Sequence, residues 1–234
     1  MNNEHSFQRL AAVAAIISAP LAFGSLVLSL APVDFDFEVF SDLTSFISVG
    51  ASGANLLRWA WVLDILGYYL LLAPVAFVLW HWLKPRGPTR VGFYTFCGLA
   101  YMLIGAIGAA ILAAVWPPLI NAYAGASGQQ REILEAVFSS VADLVYGGLW
   151  GLLAGIPGGV WWIGIGLLLR SERRILGTVT LILGIANLLA AIGAILNLGD
   201  LTMPFLSVYL FLAPIWALWL GIDLLRRPVQ KVMG

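Results

Sequence analysis

Two acidic side chains, Asp64 and Asp143, interrupt long apolar runs and have no basic residue within four positions of them. Each acid has a phenol on its own helical face, since Tyr68 follows Asp64 by four residues and Tyr146 follows Asp143 by three. Ionisable residues inside the apolar segments of a membrane protein are functional-site hypotheses by default. We therefore predict that the two acids approach each other at the mouth of an outward-facing cleft. There they would attract a cation or an amine, or exchange a proton.

The expected depth of these acids also supports a simpler interpretation. Measured from the far end of its apolar run, Asp64 lies roughly 28 Å along a helix and Asp143 roughly 39 Å. The hydrocarbon core of a bilayer is about 30 Å thick. Both acids would then lie at the outer boundary, where headgroups and water solvate them. Pairing with Arg58 or Arg131 would instead make the cluster structural.

Two further polar residues lie within the later apolar runs. Asn187 is the deepest strongly polar side chain of the fifth run, and it needs a hydrogen-bonding partner in lipid. An interhelical hydrogen bond and contact with a ligand both satisfy that need, so Asn187 joins the candidate ligand-binding residues. Asp223 precedes Arg226 and Arg227 by three and four residues, which predicts an ion pair at a helix end.

Glycines recur every four residues in the fourth apolar run, at Gly147, Gly151, Gly155 and Gly159. Small residues at this spacing let helix backbones approach closely in lipid, so we predict a helix-packing face. Pro157 removes a backbone donor within the same run. It predicts a kink or a hinge of the kind that transporters use.

These residues belong to six apolar segments, each long enough to cross a bilayer as a helix. A helix satisfies its backbone hydrogen bonds within the segment, and the runs lack the alternation of a membrane barrel. The sequence therefore predicts an all-α, multi-pass membrane helix bundle in a single transmembrane domain, residues 1–234. The predicted transmembrane helices are 10–30, 59–83, 91–116, 143–169, 175–198 and 201–225.

Basic residues predict the orientation of this bundle. With six spans, ten of the 12 lysines and arginines fall on one side, in the two termini and in the connections at 84–90 and 170–174. Cytoplasmic segments of membrane proteins carry an excess of lysine and arginine, so both the N and C termini are predicted to be cytoplasmic. The predicted location is the cytoplasmic membrane, with membrane lipids as partners.

The connections on the other side contain aromatic and turn-forming residues. Residues 34–57 begin with alternating acidic and aromatic side chains. They predict either an interfacial segment that caps the bundle or a loop with aromatic anchors. Pro117 and Pro118 predict the end of span three and a turn after it. Several tryptophans near the span ends fit aromatic belts at the membrane interfaces, namely Trp59, Trp61, Trp80, Trp82 and Trp116.

The composition limits the classes of function. Apolar residues make up 61% of the chain and charged residues 10%, whereas soluble domains have about 45–50% and about 25%. The formal net charge of +0 provides no field for nucleic acid. A single cysteine, Cys97, excludes an intrachain disulfide, and two histidines are too few for a three-histidine zinc site. We expect no cofactor and no metal.

Residues 161–171 (WWIGIGLLLRS), 174–177 (RILG) and 183–184 (LG) resemble a family of uncharacterised bacterial six-span membrane proteins, known as a domain of unknown function. Members often have a proline just before the fifth span, where this chain reads Glu-Arg-Arg at 172–174. The similarity covers the end of span four and span five. It implies a bacterial cytoplasmic membrane protein and supplies neither an activity nor site residues.

Three classes of function remain open on the sequence. The first is a membrane protein that binds or transports a small solute or lipid-like molecule, which the glycine–proline break favours. The second is a non-catalytic accessory or scaffold subunit that docks a second copy of the chain or a partner membrane subunit. The scarcity of deep polar residues favours this second class. A membrane-embedded enzyme comes third, because no nucleophile–base pair or metal cluster is visible.

Overall fold

Six helical spans form the molecule. The structure is a computed structural model that describes residues 2–36, 39, 42–196 and 198–226. Within these residues every regular element is a helix. Six continuous helical segments are long and apolar enough to cross a membrane, which confirms the predicted all-α membrane bundle. They are Glu4–Val33, Gly50–Arg86, Pro88–Gly125, Gln129–Leu169, Arg174–Ile195 and Leu201–Arg226, spans one to six.

Two of the spans contain a π-helical stretch. The α-helices are α1 (Asn2–Leu30), α2 (Gly50–Asp64), α3 (Ala73–Leu83), α4 (Pro88–Gly125), α5 (Gln129–Ala142), α6 (Gly155–Leu169), α7 (Arg174–Ile195) and α8 (Gly199–Arg226). In span two, a π-helical turn, Ile65–Tyr69, and a 3₁₀ turn, Leu70–Leu72, join α2 to α3. In span four, a π-helical segment, Asp143–Ala154, joins α5 to α6. Pro157, where the sequence predicts a kink or a hinge, lies in the first turn of α6, just after the return from π-helix to α-helix. Span four is helical on both sides of Pro157, so its missing N–H removes one backbone hydrogen bond.

The expected turn at Pro117 and Pro118 is wrong, because α4 continues through both prolines to Gly125. A proline within a helix removes one backbone hydrogen bond. Here the residues on both sides of the pair, Trp116 and Ile120, are fully buried in the bundle. Burial of this helical face offsets the lost hydrogen bonds, as in other membrane helices that contain proline.

The spans form a closed ring. Each span packs against the next one in the chain, and α1 packs against α8. The Gln8 side chain of α1 donates a hydrogen bond to the Leu224 carbonyl of α8 at 2.7 Å. α1 begins and α8 ends at the same end of the ring, which we call the terminal end. The connections after α1, α4 and α7 lie at the opposite end.

Glycines permit the closest contact between neighbouring spans. A Cβ atom on Gly155 would lie 2.6 Å from the Cβ atom of Ala191, and one on Gly159 would lie 2.9 Å from the Cβ atom of Leu188. These distances are shorter than carbon atoms tolerate, so only glycine fits at these two positions of α6. The predicted helix-packing residues of span four thus face α7 of the same chain.

The two predicted packing glycines within the π-helical segment, Gly151 and Gly147, differ in whether they contact another helix. A Cβ atom on Gly151 would lie 3.0 Å from the Cβ atom of Ala194, which continues the contact with α7. Gly147 is exposed, and a Cβ atom there would have nothing within 4 Å. Gly147 is therefore not a packing position within this chain.

The connection after α1 folds over the opposite end of the ring. Its 3₁₀ helix, Leu43–Ser48, buries Phe46 and Ile47. The ring centroid of Phe46 lies 5.5 Å from that of Trp116. Residues 37, 38, 40 and 41 of the predicted interfacial segment lie outside the described residues. Trp116 and Trp61, both expected in an interface belt, are instead buried, whereas Trp59 and Trp80 are exposed.

Candidate functional site

A cavity of about 260 Å³ lies inside the ring, nearer the opposite end than the terminal end. Leu43 from the connection after α1 reaches its lining, as do Ala194 near the end of α7 and Thr202 near the start of α8. All six spans contribute polar side chains to its wall. In chain order these include Ser29, Asp64, Tyr101, Tyr146, Asn187 and Tyr209.

Both π-helical stretches border the cavity. Asp64 is the last residue of α2, and the π-helical turn that follows it carries two tyrosines, Tyr68 and Tyr69. Hydrogen bonds between residues five apart shift the side chains around the helix axis. Both tyrosines therefore line the cavity together with Asp64. Short π-helical stretches within α-helices occur frequently at functional sites.

Asp64 is the acidic group of the site. Its exposed fraction is 7%, and its Oδ2 atom has no hydrogen-bond partner among the described residues. No lysine, arginine or histidine is among the described residues that line the cavity. An unpaired carboxylate in a low-dielectric interior is costly unless a proton, a cation or a hydrogen-bond donor accompanies it. Asp64 is thus a buried acid that the described protein leaves without a counter-charge.

Three aromatic side chains form one wall beside Asp64. The Trp61 and Tyr146 ring centroids are 6.3 Å apart, those of Trp61 and Trp150 5.8 Å apart, and those of Tyr146 and Trp150 4.8 Å apart. Trp150 is held in place because its Nε1 donates to the Gly105 carbonyl at 3.0 Å. In contrast, Trp61 Nε1 and the Tyr146 hydroxyl are buried without a hydrogen-bond partner. Two residues of the wall thus carry unpaired polar atoms in addition to their aromatic faces.

Tyrosines with satisfied hydroxyl groups close the cavity towards the terminal end. The Tyr68 hydroxyl donates to the Leu210 carbonyl at 2.7 Å. The Tyr101 and Tyr209 hydroxyls are hydrogen-bonded to each other. Tyr101 also stacks on Trp161, with the ring centroids 6.3 Å apart. This layer separates the cavity from the part of the core nearer the terminal end.

Four of the five candidate ligand-binding residues line this one cavity, namely Asp64, Tyr68, Tyr146 and Asn187. Asp143 does not, since it is exposed at the surface of span four. Arg58 and Arg131, the alternative partners of the acids, are also exposed, and Arg131 lies over the Tyr123 ring at 4.2 Å. Both predicted phenols, Tyr68 and Tyr146, therefore line the cavity, whereas Asp64 is the one predicted acid that does so.

Asn187 contributes to the helix packing and to the cavity wall at once. Its Nδ2 atom donates to the Gly155 carbonyl at 2.9 Å. The carbonyl acceptor is at the start of α6, where the π-helical segment ends. Asn187 therefore makes an interhelical hydrogen bond that links α7 to the change in helix type, while its side chain also lines the cavity.

Several residues of the site were not predicted from the sequence: Trp61, Tyr69, Tyr101, Trp150 and Tyr209. One pattern was available, since Trp61 precedes Asp64 by three residues and shares its helical face. Tyr101 and Tyr209 occur inside apolar runs, where a phenol needs a partner. Their convergence on Asp64 depends on how the spans pack, and no spacing within a single span indicates it.

A second polar cluster lies at the terminal end, and its charges are paired. Arg86 forms an ion pair with Glu172 and donates to the Leu168 carbonyl at the end of α6. Trp82 Nε1 donates to Glu172 Oε2 at 2.9 Å. Arg173 Nε lies 3.1 Å from Asp223 Oδ2. This cluster joins the end of span two, the connection after α6 and the end of α8.

Asp223 forms an ion pair with Arg173, in the connection before α7, which the sequence did not predict. The local pair of Asp223 with Arg226 or Arg227 stays a prediction. Arg227 lies outside the described residues. Packing of α7 against α8 brings Arg173 to Asp223, and spacing along α8 alone does not contain that information.

Fold and site together define a class: an integral membrane protein of six helical spans with a cavity whose wall contains a buried acid. The chain belongs to the family described as Domain of unknown function (DUF4386), whose model matches residues 10–227. The match extends the resemblance at spans four and five to nearly the whole chain. No curated protein and no solved structure matches the chain.

Proposed function

We propose that this protein binds or transports a small solute or a lipid-like molecule in the cavity around Asp64. The observation that carries the proposal is a nine-tenths buried carboxyl group with an unpartnered oxygen on the wall of a cavity. A buried polar atom without a partner is destabilising by about 1–3 kcal/mol. A protein that retains such an atom beside a cavity gains from a ligand that satisfies it.

The size and composition of the cavity support the same proposal. Its volume of about 260 Å³ is close to the lower limit of about 300–1,000 Å³ for small-molecule sites. Such sites are mostly apolar and aromatic, with a few convergent polar groups. Trp61, Tyr146 and Trp150 provide the aromatic part here, and Asp64 and Asn187 the polar part.

The proposal includes an orientation of the protein in the membrane, which follows from the distribution of basic residues. Basic residues at the terminal end favour a cytoplasmic location for that end, in the cytoplasmic membrane of a bacterium. The cavity would then open to the outside. Reporter fusions after Arg90 and Arg174 should report the inside, and fusions at Gly53 and Gly128 the outside. An external reporter signal at Arg174 would contradict this orientation.

The test of binding compares thermal stability in detergent micelles across a panel of amines, carboxylates, sugars and short-chain lipids. A ligand that binds only the folded chain raises the unfolding temperature. Leu206→Trp fills the cavity and should abolish any such shift, and Met203→Trp serves as a second blocking variant. Leu167→Trp places the same side chain at an exposed position outside the cavity and should retain the shift. Shifts in unfolding temperature that persist in both blocking variants would show that the ligand binds outside the cavity.

The scaffold alternative would dock a partner helix on a glycine face. Gly151, Gly155 and Gly159 instead pack against α7 of the same chain. Gly147 alone in this series has open space beside it. A panel without any stability shift, together with a stable complex with a second copy or another membrane subunit, would favour the scaffold role.

A further inference from the structure

We propose that the ligand of the cavity is a small organic ammonium ion, whose N–H group donates a hydrogen bond to Asp64 and whose apolar part lies against Trp61, Tyr146 and Trp150. This inference rests on the proposed function and specifies its ligand class. It follows from three properties of the wall: its charge, its aromatic faces and its unpaired polar atoms.

The charge of the wall selects a cation over an anion. Asp64 is the only Asp or Glu among the described residues that line the cavity, and no basic residue accompanies it there. A ligand carboxylate or phosphate would face this carboxyl group without a compensating cation, in a site where like charges are poorly screened. A ligand ammonium would instead form a charge-assisted hydrogen bond with the unpartnered Oδ2 atom.

The aromatic wall selects an organic cation over a metal ion. Tryptophan and tyrosine faces attract ammonium groups, and the attraction is stronger when water is excluded. The three rings lie within 6.3 Å of one another by their centroids. In contrast, no group of three or more His, Cys, Asp or Glu side chains that could hold a metal ion exists in the described ranges. Calcium and magnesium sites in proteins are built around carboxylate oxygens, and Asp64 is the single carboxylate among the described residues of the lining.

The unpaired polar atoms fit a ligand with more than one N–H group. The Tyr146 hydroxyl can both accept and donate, so it can take a second ammonium N–H while Asp64 takes the first. The indole of Trp61 can only donate. Its unpaired N–H therefore suits an oxygen acceptor elsewhere on the ligand. A primary amine with an aromatic or short aliphatic body satisfies the acid, the phenol and the rings together.

The test uses three probes with one carbon skeleton: 2-phenylethylammonium, 2-phenylethanol and phenylacetate. Their affinities are measured by the shift in thermal stability of the full chain in detergent micelles at neutral pH. The ammonium should bind tightest, and Asp64→Asn should weaken its binding about tenfold or more, which corresponds to about 1.4 kcal/mol. Asp143→Asn is the matched control, since that acid is exposed and outside the cavity lining, and it should leave the affinity unchanged.

The three probes test the charge preference on the wild-type chain as well, so the inference does not depend on the folding of a variant. Equal affinities for ammonium and alcohol would overturn the inference. Equal effects of Asp64→Asn and Asp143→Asn would do the same. A shift caused by sodium chloride that depends on Asp64 and blocks the ammonium would replace the organic cation with an inorganic one.

The failure of this inference is distinguishable from that of the proposed function. If phenylethanol or another uncharged compound binds and Leu206→Trp abolishes its binding, the cavity is a ligand site and only the ligand class is wrong. If no member of the full panel shifts the stability of the wild-type chain, the proposed function itself fails.

Discussion

The acids of the two ends of the bundle differ in what surrounds them. At the terminal end, Asp223 pairs with Arg173, and Glu172 pairs with Arg86 and accepts a hydrogen bond from Trp82. In the cavity, Asp64 is more deeply buried, and its Oδ2 atom has no partner in the described part of the chain. The paired acids hold spans together. This difference supports the proposal that Asp64 contacts a ligand.

The largest effect is expected from a change that disrupts the close contact between span four and α7. Both ends of the bundle depend on this contact. Gly155→Leu would force a side chain into the space of the Ala191 Cβ atom, which lies 2.6 Å from a Cβ atom on Gly155. We expect loss of folded protein, measured as the monodisperse fraction in size-exclusion chromatography. Leu152→Ala changes an exposed residue of the same span and should be mild. Normal yield of Gly155→Leu would mean that the two helices do not meet here.

A smaller loss is expected when an ion pair at the terminal end is broken. Arg173→Gln removes the charged hydrogen bond to Asp223 and should lower the free energy of unfolding by about 1.5–3 kcal/mol. Reversible unfolding in mixed micelles of a mild detergent and dodecyl sulfate measures this free energy. Arg174→Gln, at the neighbouring exposed arginine, is the control. Equal free energies for both variants would show that the pair adds no stability, and the contrast with Asp64 would disappear.

A finer comparison separates a bonded phenol from an unbonded one. Tyr68→Phe removes the hydrogen bond to the Leu210 carbonyl and should lower the free energy of unfolding by about 0.5–1.5 kcal/mol. Tyr146→Phe removes a buried hydroxyl without a partner, so it should leave the free energy of unfolding unchanged or raise it. The same unfolding experiment measures both variants. A larger loss for Tyr146→Phe would mean that its hydroxyl is bonded in the folded protein.

The smallest effect on stability is expected at Asp64 itself. Asp64→Asn keeps the shape of the side chain and removes a buried acidic group that has no counter-charge among the described residues of the cavity wall, so the free energy of unfolding should stay the same or rise. Asp223→Asn, which disrupts an ion pair, should lower it. If Asp64→Asn is the more destabilising of the two, Asp64 is a structural acid and the proposed site is wrong.

Residue spacing within single spans predicted candidate ligand-binding residues. It did not predict how these residues are arranged in the bundle. Tyr68 and Tyr146 were predicted because each follows an acid at helical spacing, and both line the cavity. Asp143 satisfied the same spacing rule as Asp64 and yet is exposed. Spacing shows which residues share a face of one helix. It does not show whether that face turns inward.

The sequence by itself determined the class of protein and its six spans, because a long apolar helix is the structure that satisfies its backbone within lipid. It also predicted three glycines that let two helices approach, Gly151, Gly155 and Gly159, since the absence of a Cβ atom is a property of the residue alone. Only the tertiary structure decided that α7 of the same chain fills that space, that Arg173 meets Asp223, and that tyrosines and tryptophans from several spans surround Asp64. These contacts join residues far apart in the chain. They depend on the closure of the ring and on two π-helical stretches, which local composition does not encode.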